Sequence, residues 1–135
     1  MRALRILGIV VVAYVLLVAG FESLLGWVQP TRGETMVITT FEANGQAHDR
    51  VVQRLESDGK LYVAANHWPR AWYHRAIANP DVQITIAGKK GDYRAVPIDG
   101  EEYARVNAEH ALPVFFRILT GFPPRLLMRL DPRAA

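Results

Sequence analysis

Hydrophobic positions fall into two regimes along this chain. From Ile6 to Phe21 no residue carries a charge, and apolar character resumes through Leu24, Leu25, Gly26, Trp27 and Val28 after Glu22 and Ser23. A helix over Ile6 to Val28 would be roughly 34 Å long at ~1.5 Å per residue, enough to cross a ~30 Å hydrocarbon core. Glu22 would lie near one interface, where a carboxylate reaches the headgroups, and Trp27 falls where interfacial rings are expected. Pro30 and Gly33 end the helix. A cleaved signal peptide is the competing reading, because Arg2 and Arg5 precede the apolar run and Val18-Ala19-Gly20 offers small residues for a cut. The run persists beyond that point, which favours a transmembrane anchor over residues 1–30 followed by a globular domain over residues 31–135.

Beyond Gly33 the pattern alternates, the signature of sheet with one face in a core. Met36 to Thr40 reads as a first strand. Arg50 to Leu55 reads as a second, joined through the turn Ser57-Asp58-Gly59 to a third over Lys60 to Ala65, the three forming a meander. A helix of about ten residues begins at Pro69, whose missing amide costs nothing in a first turn, and stops before Pro80. Val82, Ile84 and Ile86 alternate with Gln83 and Thr85, and Ala87 to Asp92 reads as a glycine-flanked turn into a strand over Tyr93 to Ile98. Asp99 with Glu102 has capping-box spacing for a helix reaching Leu112, and Pro113 breaks it. Periodicity leaves Val114 to Leu119 as helix or core strand; beside an anchor, this segment with Phe122 could rest on a membrane surface. Arg125 to Asp131 alternates again and closes the sheet. Five or six antiparallel strands with two short helices make a mainly β (α+β) fold, a small barrel whose closure protects its edges.

Composition narrows the chemistry. With 135 residues and 50% hydrophobic content the chain has room for one such domain plus the anchor. The absence of cysteine removes disulfides, thiolate nucleophiles and cysteine metal sites. The net charge of +3 is spread over scattered arginines, without the basic stripe that nucleic-acid binding requires. Arg2, Arg5 and the terminal amine outnumber Arg32, which favours a cytoplasmic N-terminus for a single-pass inner-membrane protein, but the difference is only about two charges and the side of the globular domain stays open.

The stretch from Asn66 to Val82 is the richest in chemistry. It crowds Trp68, Trp72, Tyr73, His67, His74, Arg70 and Arg75 into and around one short helix. Rings stack on planar ligands and Arg pairs with phosphate or carboxylate, so this composition suits an aromatic ligand with an anionic tail. The same rings could equally fill a core, and Arg70 and Arg75 could form a solvated helical face. His67 and His74 are seven apart with no carboxylate spaced to join them, so no metal site is expected.

These residues carry a resemblance. The Trp72-Tyr73 pair opening a helix, followed by Ala78-Asn79-Pro80 and alternating Val, resembles the deazaflavin-dependent nitroreductase family of split β-barrels. Val37-Ile38-Thr39-Thr40, Gly45-Gln46-Ala47-His48 and Asp58 to Ala65 extend the likeness, which covers roughly residues 35 to 132. The resemblance implies an oxidoreductase holding a deazaflavin (coenzyme F-420) or FMN, with Gly45 and His48 near the polar tail of the cofactor. It sets Ala64, Ala65 and Asn66 at a strand end approaching the ring, and Trp72 and Tyr73 beside the ring. Arg50 or Arg70 could supply a cation; Trp68 has no clear counterpart in the family and could occlude the pocket, and with Arg70 it is a candidate to border substrate. One departure stands out: where the family has a Gly-Arg-Lys-Ser-Gly type loop, this chain has Phe41-Glu42-Ala43-Asn44-Gly45, placing a carboxylate where an anion would sit.

In flavin-like reductases the cofactor carries the redox chemistry, so no protein nucleophile is required. The leading expectation is a membrane-anchored reductase acting on a lipophilic acceptor, quinone-like or an unsaturated lipid. The alternatives are a non-catalytic barrel binding a fatty acid or haem-like ring, and an accessory subunit of a membrane complex docked through Gly8, Ala13 and Gly20. The lipid bilayer and a lipophilic small molecule are the expected partners, with a homodimer or larger membrane complex also compatible. The resemblance draws its reductant from the cytoplasm, whereas the flanking charges send the barrel outward.

Overall fold

A computed structural model describes residues 1–27, 34–65 and 71–133. Helix α1 (Arg2–Trp27) is followed by strands β1 (Thr35–Phe41), β2 (Ala47–Gln53), β3 (Leu55–Ser57) and β4 (Lys60–Ala65). Then come α2 (Ala71–Ala78), β5 (Asp81–Ile86), β6 (Lys89–Pro97), α3 (Gly100–Glu109), α4 (Val114–Leu119) and β7 (Leu126–Pro132). The fold is mixed α+β. The seven strands form one antiparallel sheet in the order β2-β1-β5-β6-β7-β4-β3, curled so that β2 and β4 approach each other as a half-barrel.

The expected meander is rearranged. The stretch from Arg50 to Leu55 is not one strand: the chain breaks at Arg54, so that β2 pairs with β1 and β3 pairs with β4 at the opposite end of the sheet. The break lets one continuous sequence serve both edges of a curled sheet, and it leaves β2 and β3 as edges where full closure was expected. Both short hairpins are two-residue turns with left-handed backbone: Asp58 (φ 51) with Gly59 (φ 71), and Ala87 (φ 50) with Gly88 (φ 79). That twist matches the twist of the flanking strands. Lys89 to Asp92, expected in the second turn, are therefore already strand, with Lys89 opposite Ile86 and Asp92 opposite Gln83.

Alternation along β4 and β7 sends side chains to two cores. Val63, Ala65, Met128 and Leu130 join Met36, Ile38, Val52, Val82, Ile84 and Ala95 on the concave face, which Trp72 and Ala76 of α2 close. Tyr62 and Leu127 point the other way, onto Val106 of α3, with Leu55 beside them. Asp99 does stand at the N-cap of α3, but its side chain makes no capping hydrogen bond. Glu102 is used elsewhere: it accepts hydrogen bonds from Tyr62 and Arg129. The segment that periodicity left undecided is helical, and α4 packs on α1 through a Phe21–Phe116 edge contact with ring centroids 6.1 Å apart. Arg2–Leu24 of α1 is long and apolar enough to cross a membrane, and its apolar window is wholly exposed.

Candidate functional site

Strand β2 and helix α2 build a cavity of about 600 Å³ lined by Ala47, His48, Asp49, Arg50, Ala71, Trp72 and Arg75. That volume lies within the range of small-molecule pockets. Strand β2 stands at one end of the strand order. The register sets Thr40 opposite His48, Thr39 opposite Asp49 and Ile38 opposite Arg50, and the cross-strand neighbours fix the polar lining. Thr39 Oγ1 donates to Asp49 Oδ1 at 2.6 Å. Arg75 reaches from α2 to donate its Nε–H to Thr40 Oγ1 at 2.9 Å, and Thr40 is fully buried. Helix and sheet are thus tied together at the cavity wall by a guanidinium.

His48 and the loop that carries Glu42 meet here. His48 Nε2 is buried and lies 3.4 Å from Glu42 Oε1, within ion-pair distance but not aligned as a hydrogen bond. Gly45, with φ +87 and open space around a would-be Cβ, completes the β1–β2 turn, where Glu42 N–H donates to Gln46 O and Gly45 N–H to Glu42 O. Gly45 shapes that turn and does not itself line the cavity. The carboxylate of Glu42 therefore sits at one end, against His48, while Arg50 and Arg75 supply positive charge along the wall.

Three of the sequence candidates come together: His48, Arg50 and Trp72. Trp72 is only 6% exposed and belongs mainly to the core, so just part of its indole reaches the cavity. Tyr73 is half-buried, meets Trp72 edge-on with centroids 5.9 Å apart, and has its phenol pushed above the usual range by burial. It stays neutral at physiological pH and able to donate a hydrogen bond. Ala64 and Ala65 lie on opposite faces of β4, Ala65 in the concave core and Ala64 under α3, and neither borders the cavity. Asn66, Trp68 and Arg70 lie outside the described residues, as does Pro69, the expected helix start.

Arg75 is the residue that sequence reading undervalued. A solvated helical face was one reading of it, yet it is half-buried and bonded across to β1. Its spacing of three from Trp72 was the available signal, since the two share a helical face. Asp49, Ala47 and Ala71 gave no signal in the sequence. Among the described residues no group of three metal-ligating side chains forms.

Comparison with known proteins follows the same geometry. The model of the F420H(2)-dependent quinone reductase family matches residues 18–113. The chain belongs to the F420H(2)-dependent quinone reductase family. No curated protein matches it. Solved structures with this fold include an F420-H2 dependent reductase, FDR-A, at 22% identity and TM-score 0.60, covering 77% of this chain and 99% of that one. The heme storage protein HutZ from Vibrio cholerae matches at 21% identity and TM-score 0.58, over 76% of this chain and 83% of that one. A putative pyridoxamine 5'-phosphate oxidase from Listeria innocua matches at 15% identity and TM-score 0.56, over 87% and 94% of the two chains. These likenesses establish the half-barrel, and family membership makes the chain an oxidoreductase-type protein.

Proposed function

We propose that this F420H(2)-dependent quinone reductase family member is a single-pass inner-membrane reductase that binds a deazaflavin, or FMN in its place, in the β2–α2 cavity. Its acceptor would be lipophilic, quinone-like or an unsaturated lipid. The carrying observation is the cavity itself: an edge strand, part of an indole, an imidazole and two guanidiniums border one hollow of ligand size. These residues fit such a cofactor. Arg50, Arg75 and His48 suit an anionic tail, and the part of the Trp72 indole that reaches the cavity would border the ring, with Tyr73 edge-on to that indole. When bound, a reduced deazaflavin supplies a hydride, and a quinone that accepts it together with a proton becomes the hydroquinone. The chain's own contribution is to bind, orient and shield the reacting partners.

Anchoring suits this substrate, because a barrel tethered at the bilayer meets a lipid-dissolved acceptor at high effective concentration without extracting it into water. Anchor residues 1–30 and barrel residues 31–135 remain the proposed division. Titrating the detergent-purified chain with deazaflavin or FMN while following tryptophan fluorescence tests the reading. Saturable quenching with turnover of a soluble quinone supports it, and absence of binding of either ring overturns it. Glu42 beside His48 counts against a phosphate-bearing tail at this end of the cavity and so leaves a second reading, a barrel that binds a fatty acid or haem-like ring without redox chemistry; extractable ligand in a preparation that binds no deazaflavin would select it. A C-terminal reporter fusion reads which membrane face carries the barrel.

A further inference from the structure

We propose that α4 and the turn after it, residues 113–124, form a wedge that inserts into the bilayer leaflet beside α1; the inference rests on the anchor part of the proposed function and is independent of its redox part. Spanning a ~30 Å core takes about 20 residues, so most of Arg2–Leu24 must lie at hydrocarbon depth if α1 crosses. Two contacts of α4 with α1 fall within that stretch: Tyr14 Oη donates to Ile118 O at 2.9 Å, and Phe21 meets Phe116 edge-on. An element held against Tyr14 and Phe21 shares their depth.

The surface that α4 leaves open agrees. Val114, Phe115, Ile118 and Phe122 are 65%, 71%, 40% and 55% exposed, and they continue the exposed apolar surface of α1. Three carbonyls at the C-terminal end of α4 are satisfied, which matters in lipid, where an unsatisfied carbonyl costs several kcal/mol. Phe116 O accepts from Thr120 N–H and Oγ1; Arg117 O accepts from Phe122 N–H and Thr120 Oγ1; Ile118 O accepts from Gly121 N–H and Tyr14 Oη. Pro113, Pro123 and Pro124 bring no amide donors. Arg117 lies over the Phe122 ring at 5.6 Å, an arrangement in which the guanidinium can reach the headgroups from a greasy base.

The absence of cysteine makes the test direct. Val11→Cys, Phe115→Cys and Lys89→Cys in the full chain are each labelled with an environment-sensitive thiol dye and reconstituted in phosphatidylcholine–phosphatidylglycerol vesicles. Quenchers are acyl-brominated lipid and aqueous iodide. The wedge predicts loss of emission to brominated lipid at 11 and 115 and to iodide only at 89. Iodide quenching at 115 with lipid quenching at 11 would overturn the wedge and leave the anchor standing. Iodide quenching at both would remove the anchor and the wedge with it. Shielding of 115 from both quenchers would mean that protein, such as a second copy, covers the patch, and would also overturn the proposal.

Discussion

Tyr62 donates its phenolic hydrogen to Glu102 Oε2 across 2.6 Å, tying the middle of β4 to the first turn of α3 on the convex side of the sheet. Glu102 also receives Arg129 Nη1 at 2.8 Å, and Arg129 grips Asp131 at 2.7 Å. The pair fixes α3 over the strand whose other face lines the concave core.

This network should set an acid limit to stability. The Glu102 carboxyl is held below the usual range, first by the Tyr62 hydrogen bond and then by Arg129, with burial opposing. A depressed folded-state pKa stabilises above the unfolded value, about 4.3, and the contribution disappears as pH falls through the folded value. Tyr62→Phe removes the largest cause. Urea melts of the detergent-solubilised chain should show a loss of about 1–3 kcal/mol at pH 7 and, with the Glu102 carboxyl released toward its ordinary value, a shallower further decline as pH falls below about 4.3. An acid limb identical to the parent's would detach Tyr62 from Glu102 energetically.

The Tyr62 phenol titrates in the opposite sense. Burial, then the hydrogen bond to Glu102, pushes it above its ordinary value. The neutral form is favoured in the fold, so its contribution is complete below about pH 10 and is lost as pH rises through the folded value. In Tyr62→Phe the decline in stability above pH 10 should be shallower, read by the same melts at alkaline pH.

Trp72 and Tyr73 should separate by experiment although they adjoin in sequence. Trp72 is packed with Ala76, Val63 and Ala65 in the concave core, so Trp72→Ala should cost about 3–5 kcal/mol and cannot serve as a clean probe of ring binding. Tyr73→Phe keeps the ring and its edge contact with Trp72 and removes only the hydroxyl. Its melting temperature should stay close to the parent's while deazaflavin affinity falls. Equal affinity in Tyr73→Phe would take the hydroxyl out of the site.

The contrast shows what the sequence could carry. Local signals were reliable: the charge-free run gave α1, Asp58-Gly59 gave its hairpin, and alternation gave β1, β5 and β7. Two features depended on partners remote in sequence. Nothing around Arg54 announces that β2 and β3 belong to opposite edges of the sheet, because that break follows from curling, and Glu102 was drawn from a capping role by Tyr62 forty residues away. The site was partly legible. His48, Arg50 and Trp72 were named through the family resemblance, with His48 expected in a turn although it stands on β2, whereas Asp49 acquires its role through Thr39 across the ladder, and Arg75 through Thr40 from another element.

Arg75 should prove important to any anionic ligand. Arg75→Gln keeps polarity toward Thr40 and removes the charge, and a lost charge-assisted hydrogen bond of about 1.5–3 kcal/mol corresponds to a Kd about 10-fold or more weaker. The salt dependence of binding should shrink with it, since one fewer cation attracts the ligand. Titrations at low and high salt read both effects. A weaker Kd with undiminished salt dependence would mean that Arg75 acts only by holding α2 to β1.

The strongest electrostatic oddity of the site gives the most direct test of where the anionic tail lies. Glu42 occupies the loop where the family resemblance leads one to expect cations, and its carboxylate stands 3.4 Å from the buried Nε2 of His48. If the tail passes this end of the cavity, Glu42 repels it. Glu42→Gln removes the repulsion with little change in shape; because the side chain is 42% exposed, solvent screens the gain to about two- to fivefold in affinity, the size of an exposed charge pair. Glu42→Lys should exceed that by restoring a cation, and both gains should fade at high salt. Riboflavin, which carries the ring without phosphate, should respond to neither variant. A riboflavin affinity that rises alongside that of FMN would show that Glu42 acts on the ring or on loop conformation, and the tail would then have to be assigned to the Arg50–Arg75 wall.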